Sequence, residues 1–580
     1  MGVEFAAIVL DRRRLGVADL LEQDDTELQV LDWSTVPEEW MTNAVARMTS
    51  KERELMLRYK LIPYCWLPDC TVYGIVDEGA LQKGRALGLR MIGRVTPEIY
   101  RKLVRRCFAK TLEHKAVHDL SQSKPWASAH KRLSAGQAIF LAIGVLTTLL
   151  MANLYSTAGI IWSLQILACL FFLMVVYLRC LCLMPLPRGP GFVAPLLQDN
   201  ELPVYTVLVP LFREISVLHK IVNALAVLDY PVHKLDIKII LEESDRPMQL
   251  AVRSLNLPWY FDIIIVPPGT PQTKPRALNY AMQFARGSLA TIYDGEDIPQ
   301  PRQLRLAAAQ FAQSAGDIAC FQAALDFFNP NENWLTRQFT AEYAGLFHVI
   351  LPSLAAYGLP MPLGGTSNHF RVSALAAVGY WDAFNVTEDA DLGIRLARHG
   401  YKTGILHSTT LEEANTELGN WMKQRRRWLK GFLQTWLVHS RNPWQLMRET
   451  GVGGFFAVQA MTLGVFVSAL LHPLLLGIAL RNLLPDKVTE ATATFSGSLM
   501  AGLSLMILLV GYVSAIATSK KGLQRIGVFG WKKVLLSIPL YWLLSSAAAW
   551  MALWDFVFAP FHWHKTTHGL SRINKRTGQD

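Results

Sequence analysis

Hydrophobic and polar positions fall into distinct regimes along the chain. Residues 1 to about 125 mix charge with short apolar runs, which predicts a small α/β unit. KERELMLRYKLIPYCW reads as a helix running into a strand, and TVYGIVDEGALQKGRALG as a strand followed by a helix. VTPEIYRKLVRRCFAK reads as an amphipathic helix with a start signal at VTPE. Two apolar runs follow, 137–154 and 158–184, each near the ~20 residues that span a bilayer. Residues 196 to about 440 return to soluble patterning. Apolar strands are predicted at YTVLVP (205–210), LDIKIILEES (235–244), FDIIIVPP (261–268) and LATIYDGED (289–297). Helical stretches such as EISVLHKIVNALAVL and KPRALNYAMQFA lie between them. That alternation predicts a mainly parallel sheet with helices on both faces and polar residues gathered beyond the strand ends.

Apolar runs resume at 453–482, with Pro473 inside, at 497–518 and at 534–557. Lys124, Lys131 and Arg132 precede the first hairpin, and Arg188 follows it. Excess Lys and Arg marks the cytoplasmic side, so both flanks are expected there. Lys520, Lys521, Arg525, Lys532 and Lys533 precede the run 534–557, and Lys565, Arg572, Lys575 and Arg576 follow it. Because both of its flanks are basic, this last run is expected to lie along or re-enter the cytoplasmic face, interrupted near Pro539, without crossing. Four crossings are predicted in all.

Composition agrees with a globular part joined to membrane segments: of 580 residues, 51% are hydrophobic and only 18% charged. The net charge of +11 is read as the basic face of a membrane protein and not as a nucleic-acid surface. Cys65 and Cys70 have no matching Cys/His pair nearby, which argues against a zinc site. Nothing suggests a disulfide framework. The start, MGVEFAAIVLDRRRLG, lacks the basic-then-apolar order of a signal peptide, and Ala6 argues against myristoylation at Gly2.

Several polar clusters offer chemistry. Asp294-Gly295-Glu296-Asp297 ends an apolar strand, where carboxylates suit a divalent cation held against a diphosphate. Taken alone it reads more readily as a solvated turn. Glu242, Glu243 and Asp245 follow the second strand. Lys274 opens a helix, where both the cation and the helix N-terminus attract phosphate. Thr387-Glu388-Asp389 starts another helix. It reads as a simple cap, or as a carboxylate base that takes a proton from a hydroxyl. KQRRRWLKG (423–431) packs five cations and a tryptophan into nine residues.

The ordered series EESD, KPRALN, DGED, GGTSNHF, TEDADLG and QRRRW is far more specific than its members. It resembles the processive membrane glycosyltransferases of family 2, the group of cellulose and hyaluronan synthases, over roughly 200–440 and into the membrane segments. The resemblance implies a GT-A-like, mainly parallel sheet domain inserted between transmembrane helices. It implies that Glu242 and Glu243 contact the donor nucleoside, where the family has aspartates. Lys274 would touch the diphosphate. Asp294 and Glu296 would hold Mg²⁺ or Mn²⁺, with Asp297 as a further candidate, Glu296 standing in place of an aspartate. Asp389, with Glu388 beside it, would be the catalytic base. Gly364–Asn368, with Gly365, Thr366 and Ser367, would lie near the acceptor end. Gln424 and Arg427 would hold the diphosphate and Trp428 the acceptor sugar, whereas Lys423, Arg425, Arg426 and Lys430 are expected to reach lipid headgroups. HWHKTTHG (562–569) resembles the family's gating loop, in which Lys565 and Thr566 or Thr567 would meet the diphosphate. His562, His564 and His568 are read as ordinary interfacial histidines.

The N-terminal piece resembles the N-terminal domain of type II secretion ATPases. A related subtype binds cyclic di-GMP through a signature that begins as Arg14-Leu15-Gly16 does here and then departs at Asp19. A docking domain for an export or regulatory partner is the other reading. The expected organisation is therefore 1–125 N-terminal α/β domain, 137–184 transmembrane hairpin, 196–440 glycosyltransferase domain, and 441–580 interfacial helices, two transmembrane helices, the re-entrant segment and the tail. The expected activity is inverting, processive hexosyl transfer from a UDP-sugar to a growing polysaccharide, coupled to export, at the cytoplasmic face of the inner membrane. Its rivals are a single addition to a lipid acceptor, and a non-catalytic membrane receptor or secretion component that keeps the fold.

Overall fold

The computed structural model describes residues 48–66, 71–154, 157–185, 195–482, 495–560, 567 and 569–571. Arg14, Gly16, Asp19, Lys565 and Thr566 lie outside the described residues, as do His562, His564 and His568.

The first unit starts with a helix, Ser50–Tyr59, capped by a reciprocal pair in which Thr49 accepts from Glu52 N while the Glu52 carboxylate takes the Thr49 N–H. Strands β1 (Leu61–Trp66), β2 (Thr71–Ile75) and β3 (Arg90–Arg94) form a three-stranded sheet in that order, β1 antiparallel and β3 parallel to β2. β3 was not expected from the sequence. A long helix, Pro97–Ser123, begins at the Thr96 cap with Pro97 in its first turn and carries the chain to the membrane segments.

The main sheet has eight strands: β4 (Tyr205–Leu211), β5 (Leu235–Glu242), β6 (Phe261–Val266), β7 (Leu289–Ile292), β8 (Ile298–Pro299), β9 (Ile318–Phe327), β10 (Asn368–Arg371) and β11 (Lys402–Glu412). Their order is β6-β5-β4-β7-β10-β9-β11-β8. The run β6 to β7 is parallel, as expected. β10 is antiparallel to both neighbours, β9 and β11 are parallel, and β8 is antiparallel to β11, so the sheet is mixed. Successive residues of a strand face opposite sides, and the buried strands feed two cores. Val207, Val209, Ile237 and Ile239 enter one, and Leu208, Ile240 and Ile292 the other. This layering leaves the carboxyl ends of β4, β5 and β7 as one polar edge.

Among the described residues, four stretches are long and apolar enough to cross a membrane: Gln165–Leu183, Pro443–Arg481, Ala501–Arg525 and Ile538–Phe558. A fifth apolar helix, Ala135–Leu154, precedes them. The last stretch differs from expectation. Pro539 begins the helix Ile538–Phe558 and does not interrupt it, because a proline in a first turn lacks only an N–H that has no helical partner. Both ends of this helix are held by sheet-domain helices. At its start, Ser537 Oγ accepts from Trp334 Nε1 and Gln338 Nε2 at 2.8 and 2.7 Å. Just past its end, Ala559 O and Pro560 O accept from Lys430 and Gln434. Its small face, Ala548, Ala549 and Ala552, packs on Leu429, Leu433 and Leu437.

Candidate active site

At the polar edge of the sheet lies a cavity of about 470 Å³. Its lining gathers Glu242 from the end of β5, Lys274, Asp294 and Glu296 beyond β7, Gly364–Thr366, Glu388 and Asp389, Glu412 from the end of β11, and Gln424, Arg427 and Trp428.

Each side chain is delivered by a local element. Lys274 is the first residue of the helix Lys274–Met282; its ammonium donates to Gly365 O at 2.8 Å and pairs with Asp294 at 2.5 Å. Burial acts to lower the Lys274 pKa, but Asp294, Glu388 and Asp389 outweigh it and raise it. Two arginines stand behind Glu242 and Glu243. Fully buried Arg276 bonds Glu242 at 2.7 Å and Pro267 O at 3.0 Å, and Arg105 pairs with Glu243. Burial raises the Glu242 pKa, and Arg276 tempers the rise.

Glu388 and Asp389 open the helix Glu388–Arg398. Burial first, then the neighbouring Asp389, push Glu388 up to about 8 against Lys274 and Arg427. Asp389 is also raised, chiefly by burial, while the Ala390 N–H it accepts at 2.7 Å pulls the other way. A side chain at Gly365 would stand 3.1 Å from Asp389 Oδ2, so the glycine keeps that wall open beside the carboxylate.

The helix Leu418–His439 carries Gln424, Arg427 and Trp428. It is docked to the Glu388–Asp389 turn by Asn385 on Thr435 at 3.0 Å and by His439 on Asp391 at 2.9 Å. Gly431 makes the approach possible, since a Cβ there would lie 2.2 Å from Thr387 Oγ1. Gln424 accepts from Asn415 at 2.8 Å. Trp428 stacks on Tyr343, with ring centroids 6.1 Å apart and planes 25° apart. With Tyr343, Phe347 and Gly364, Trp428 also lines a second cavity of about 230 Å³. That cavity runs between Val175 and Leu178 on one side and Tyr541 and Trp542 on the other.

Three expected members sit elsewhere. Asp297 is buried off the cavity lining, where its carboxylate accepts from Asp294 N at 2.7 Å and bonds the Thr366 hydroxyl. It shapes the turn and leaves the lining to Asp294 and Glu296. Ser367 is buried on Thr410 at 2.6 Å. Glu243, the first residue past β5, does not line the cavity and pairs with Arg105 instead. Asp245, noted with the acidic cluster, is a helix cap for Met248 N. The cation cluster is corrected as well. Arg425 forks onto both Glu342 oxygens at 2.7 and 2.5 Å, Arg426 pairs with Asp555, and Lys430 donates to Ala559 O. All three are held by protein groups, whereas Lys423 is exposed.

Glu412 is the residue sequence reading missed. Burial, then Asp297, Glu296 and Asp294, raise its pKa well above the usual range. Its signal, an acidic pair ending a strand, was the same as that of Glu242-Glu243, but polar residues in KTGILHSTTLE obscured the strand. Thr567, Gly569 and Ser571 come back to this edge: the Asn420 side-chain amide donates to Thr567 O and accepts from Thr567 N, and Gly569 N and Ser571 N donate to Glu413 at 2.6 Å each.

Among the described residues, no three His, Cys, Asp or Glu side chains form a ready metal cage. Asp294 and Glu296 nevertheless offer hard oxygens on one wall. They fit a Mg²⁺- or Mn²⁺-type ion that takes one or two protein carboxylates and completes its shell with substrate phosphate and water.

Residues 290–561 match the model of the family described as "Glycosyl transferase family group 2". The β-monoglucosyldiacylglycerol synthase of Synechocystis sp. is 28% identical over 40% of this chain and 48% of its own length. The cellulose synthase catalytic subunit (UDP-forming) of Xanthomonas axonopodis pv. citri is 26% identical over 43% of this chain and 34% of its own. The match spans about half the length of the first relatives. Among solved structures, a mannosyltransferase from Pyrobaculum calidifontis in complex with GDP-Man and Mn²⁺ aligns over 61% of this chain and 96% of its own, at 17% identity and a TM-score of 0.41.

Proposed function

We propose that this chain, which carries a glycosyltransferase family 2 domain over residues 290–561, transfers hexosyl units with inversion from a nucleotide diphosphate sugar. The observation that carries the reading is the convergence of Glu242, Lys274, Asp294, Asp389, Gln424, Arg427 and Trp428 on one cavity. An acceptor hydroxyl lying against Trp428 gives its proton to Asp389 Oδ while its oxygen bonds the anomeric carbon. The bond from that carbon to the diphosphate breaks on the opposite face. Charge develops on the departing diphosphate, where Lys274 and the Arg427 guanidinium stand; Arg binds phosphate oxygens through parallel hydrogen bonds and keeps its charge. A divalent ion on Asp294 and Glu296 supplies further neutralisation of the diphosphate when bound. The raised pKa of the Glu388–Asp389 pair suits a base that must hold a proton after taking it.

The donor is read as a UDP-sugar and the product as a polysaccharide, lengthened processively and passed from Trp428 into the second cavity between the membrane helices. The aromatic walls of that cavity, Tyr343, Phe347, Tyr541 and Trp542, suit stacked sugar rings. Its aliphatic part, Val175, Leu178, Ile350 and Val465, supports a second reading, single addition to a lipid acceptor. The membrane is read as the inner one, with the sheet domain on the cytoplasmic side and the helix Ile538–Phe558 lying along that face, held at both ends. Lys565 and Thr566 are read as meeting the donor diphosphate, a reading supported by the anchoring of Thr567, Gly569 and Ser571 on Asn420 and Glu413. An N-terminal docking role, or cyclic di-GMP binding, belongs to residues outside this site.

The test is detergent-purified protein incubated with a panel of nucleotide sugars and Mg²⁺ or Mn²⁺, with products sized by mass spectrometry. A ladder of long chains supports the polysaccharide reading, and one added sugar on extracted lipid supports the second. Turnover that persists in Asp389→Asn would remove Asp389 as the base, and no turnover of any donor would end the proposal.

A further inference from the structure

Resting on that donor site, we infer that Asn415 and Asn420 are positioning residues that turn the Gln424 amide nitrogen toward the donor diphosphate. Gln424 lines the cavity. Its Oε1 accepts from Asn415 Nδ2 at 2.8 Å, and Asn415 Oδ1 accepts from Asn420 Nδ2. The Asn420 side chain meets the Thr567 backbone, donating to Thr567 O at 2.7 Å and accepting from Thr567 N at 3.0 Å. Asn420 is the third residue of the helix Leu418–His439, one turn ahead of Gln424 on the same face. Both asparagines are buried. Asn415 sits in a loop clamped on either side: Asn329 exchanges two bonds with the Ala414 backbone at 2.7 and 3.0 Å, and Asn333 donates to Thr416 O at 2.8 Å.

A side-chain amide can bond either way round, and its partners decide which. Here the decision is made at Thr567. A backbone N–H only donates and a backbone carbonyl only accepts, so Asn420 sets Oδ1 on the first and Nδ2 on the second. The other hydrogen of Asn420 Nδ2 meets Asn415 Oδ1, which leaves Asn415 Nδ2 to meet Gln424 Oε1. Both hydrogens of Gln424 Nε2 then remain for the cavity. Turned over, Gln424 would set nitrogen against nitrogen at Asn415 and offer an acceptor to an anionic diphosphate. The relay thus converts the orientation of one peptide at residue 567 into a hydrogen-bond donor at the diphosphate. Gly569 N and Ser571 N, on Glu413 at 2.6 Å each, hold the same stretch in place. Removing either asparagine frees Gln424 to rotate. That weakens nucleotide binding and leaves the proposed base, Asp389, untouched.

The experiment is a double-mutant cycle in full-length protein. It compares wild type, Asn415→Ala, Asn420→Ala and Gln424→Ala with the two double variants that join each asparagine change to Gln424→Ala. Dissociation constants for UDP and GDP with Mg²⁺ are read by calorimetry, KM and kcat by donor turnover, and folding by Tm. Asn415→Ala is expected to raise the nucleotide Kd and the donor KM about fivefold, the scale of one neutral hydrogen bond, with kcat within about twofold. Asn420→Ala, one step further along the relay, is expected to raise both about threefold. Neither change should weaken binding further once Gln424 is alanine, because no amide is left to orient. A wild-type Kd in Asn415→Ala overturns the inference. So does a rise of equal size in the Gln424→Ala background, which would mark a merely structural effect. A wild-type Kd in Gln424→Ala, or no binding of either nucleotide to wild type, overturns it together with the donor-site reading. Wild-type protein that binds nucleotide but turns over no sugar overturns the proposed activity alone, and the cycle in Kd still decides the relay.

Discussion

Lys274 and Asp294 form an ion pair 2.5 Å long on the wall of the larger cavity. The ammonium that suits a diphosphate and the carboxylate that suits a divalent cation hold each other in place, and Glu388 and Asp389 add to the field that keeps Lys274 charged. Lys274→Ala is expected to raise the donor KM and to lower kcat/KM by about 10²-fold, the scale of losing one preorganised charge contact to a leaving group. Lys274→Arg should restore donor binding better than it restores kcat. Steady-state kinetics with saturating acceptor checks both.

The pH profile follows from the buried acidic pair. As the proposed base, Asp389 works only when deprotonated, and Glu388 beside it is pushed up to about 8 by burial and by Asp389 itself. Lowering the pH protonates the pair, so kcat/KM should fall on the acid side with an apparent pKa well above the ordinary carboxylate value of ~4. Glu388→Gln removes one of the two repelling charges. Its acid limb should move to lower pH, which kcat/KM profiles of the two proteins would reveal; an unmoved limb would assign the ionisation to another group.

Gly431 lies where the helix of Gln424, Arg427 and Trp428 crosses Thr387, with 2.2 Å between its absent Cβ and the threonine hydroxyl. Gly431→Ala gains helix propensity but overpacks this crossing by an amount that costs ~1–3 kcal/mol. The strain falls between the proposed base, Asp389, and the residues proposed to hold the diphosphate, Gln424 and Arg427. Activity should drop at least about tenfold while far-UV dichroism stays that of wild type.

Arg425 is buried among Trp421, Trp428 and Tyr541, with both Glu342 oxygens on its guanidinium. Glu342→Gln leaves that cation short of a counter-charge. Breaking a buried pair costs ~3–5 kcal/mol, and the partial exposure of Glu342 lowers the expectation to ~2 kcal/mol. Thermal unfolding in detergent should show the fall in Tm, and Arg425→Met in the same background should recover part of it.

Much of this protein was legible in one dimension. The parallel strands β4 to β7 are continuous apolar runs because both faces of a central strand are buried, and the acids that follow them mark the binding edge. The membrane helices are legible for a similar reason, since lipid demands apolar side chains over a fixed length. β10 and β11 were not legible: their polar residues are satisfied by partners far away in sequence, as His369 of β10 is by Tyr205 and Thr410 of β11 by Ser367. Which acid of a pair faces the cavity was also beyond the sequence. Glu242 and Glu243 are alike in type, and only the tertiary structure sets one on the cavity and pairs the other with Arg105.

The chemical types at the site, carboxylates, one lysine and Gln-x-x-Arg-Trp, were thus determined by the sequence alone, because diphosphate, metal and sugar each demand a narrow set of side chains. The tertiary structure decided which of the cationic residues 423–430 face the cavity and which are tied to Glu342, Asp555 and Ala559. It also decided that the helix Ile538–Phe558 lies against Leu418–His439. Helical periodicity assigns faces, but what each face meets depends on segments more than a hundred residues distant, and no local pattern encodes that encounter.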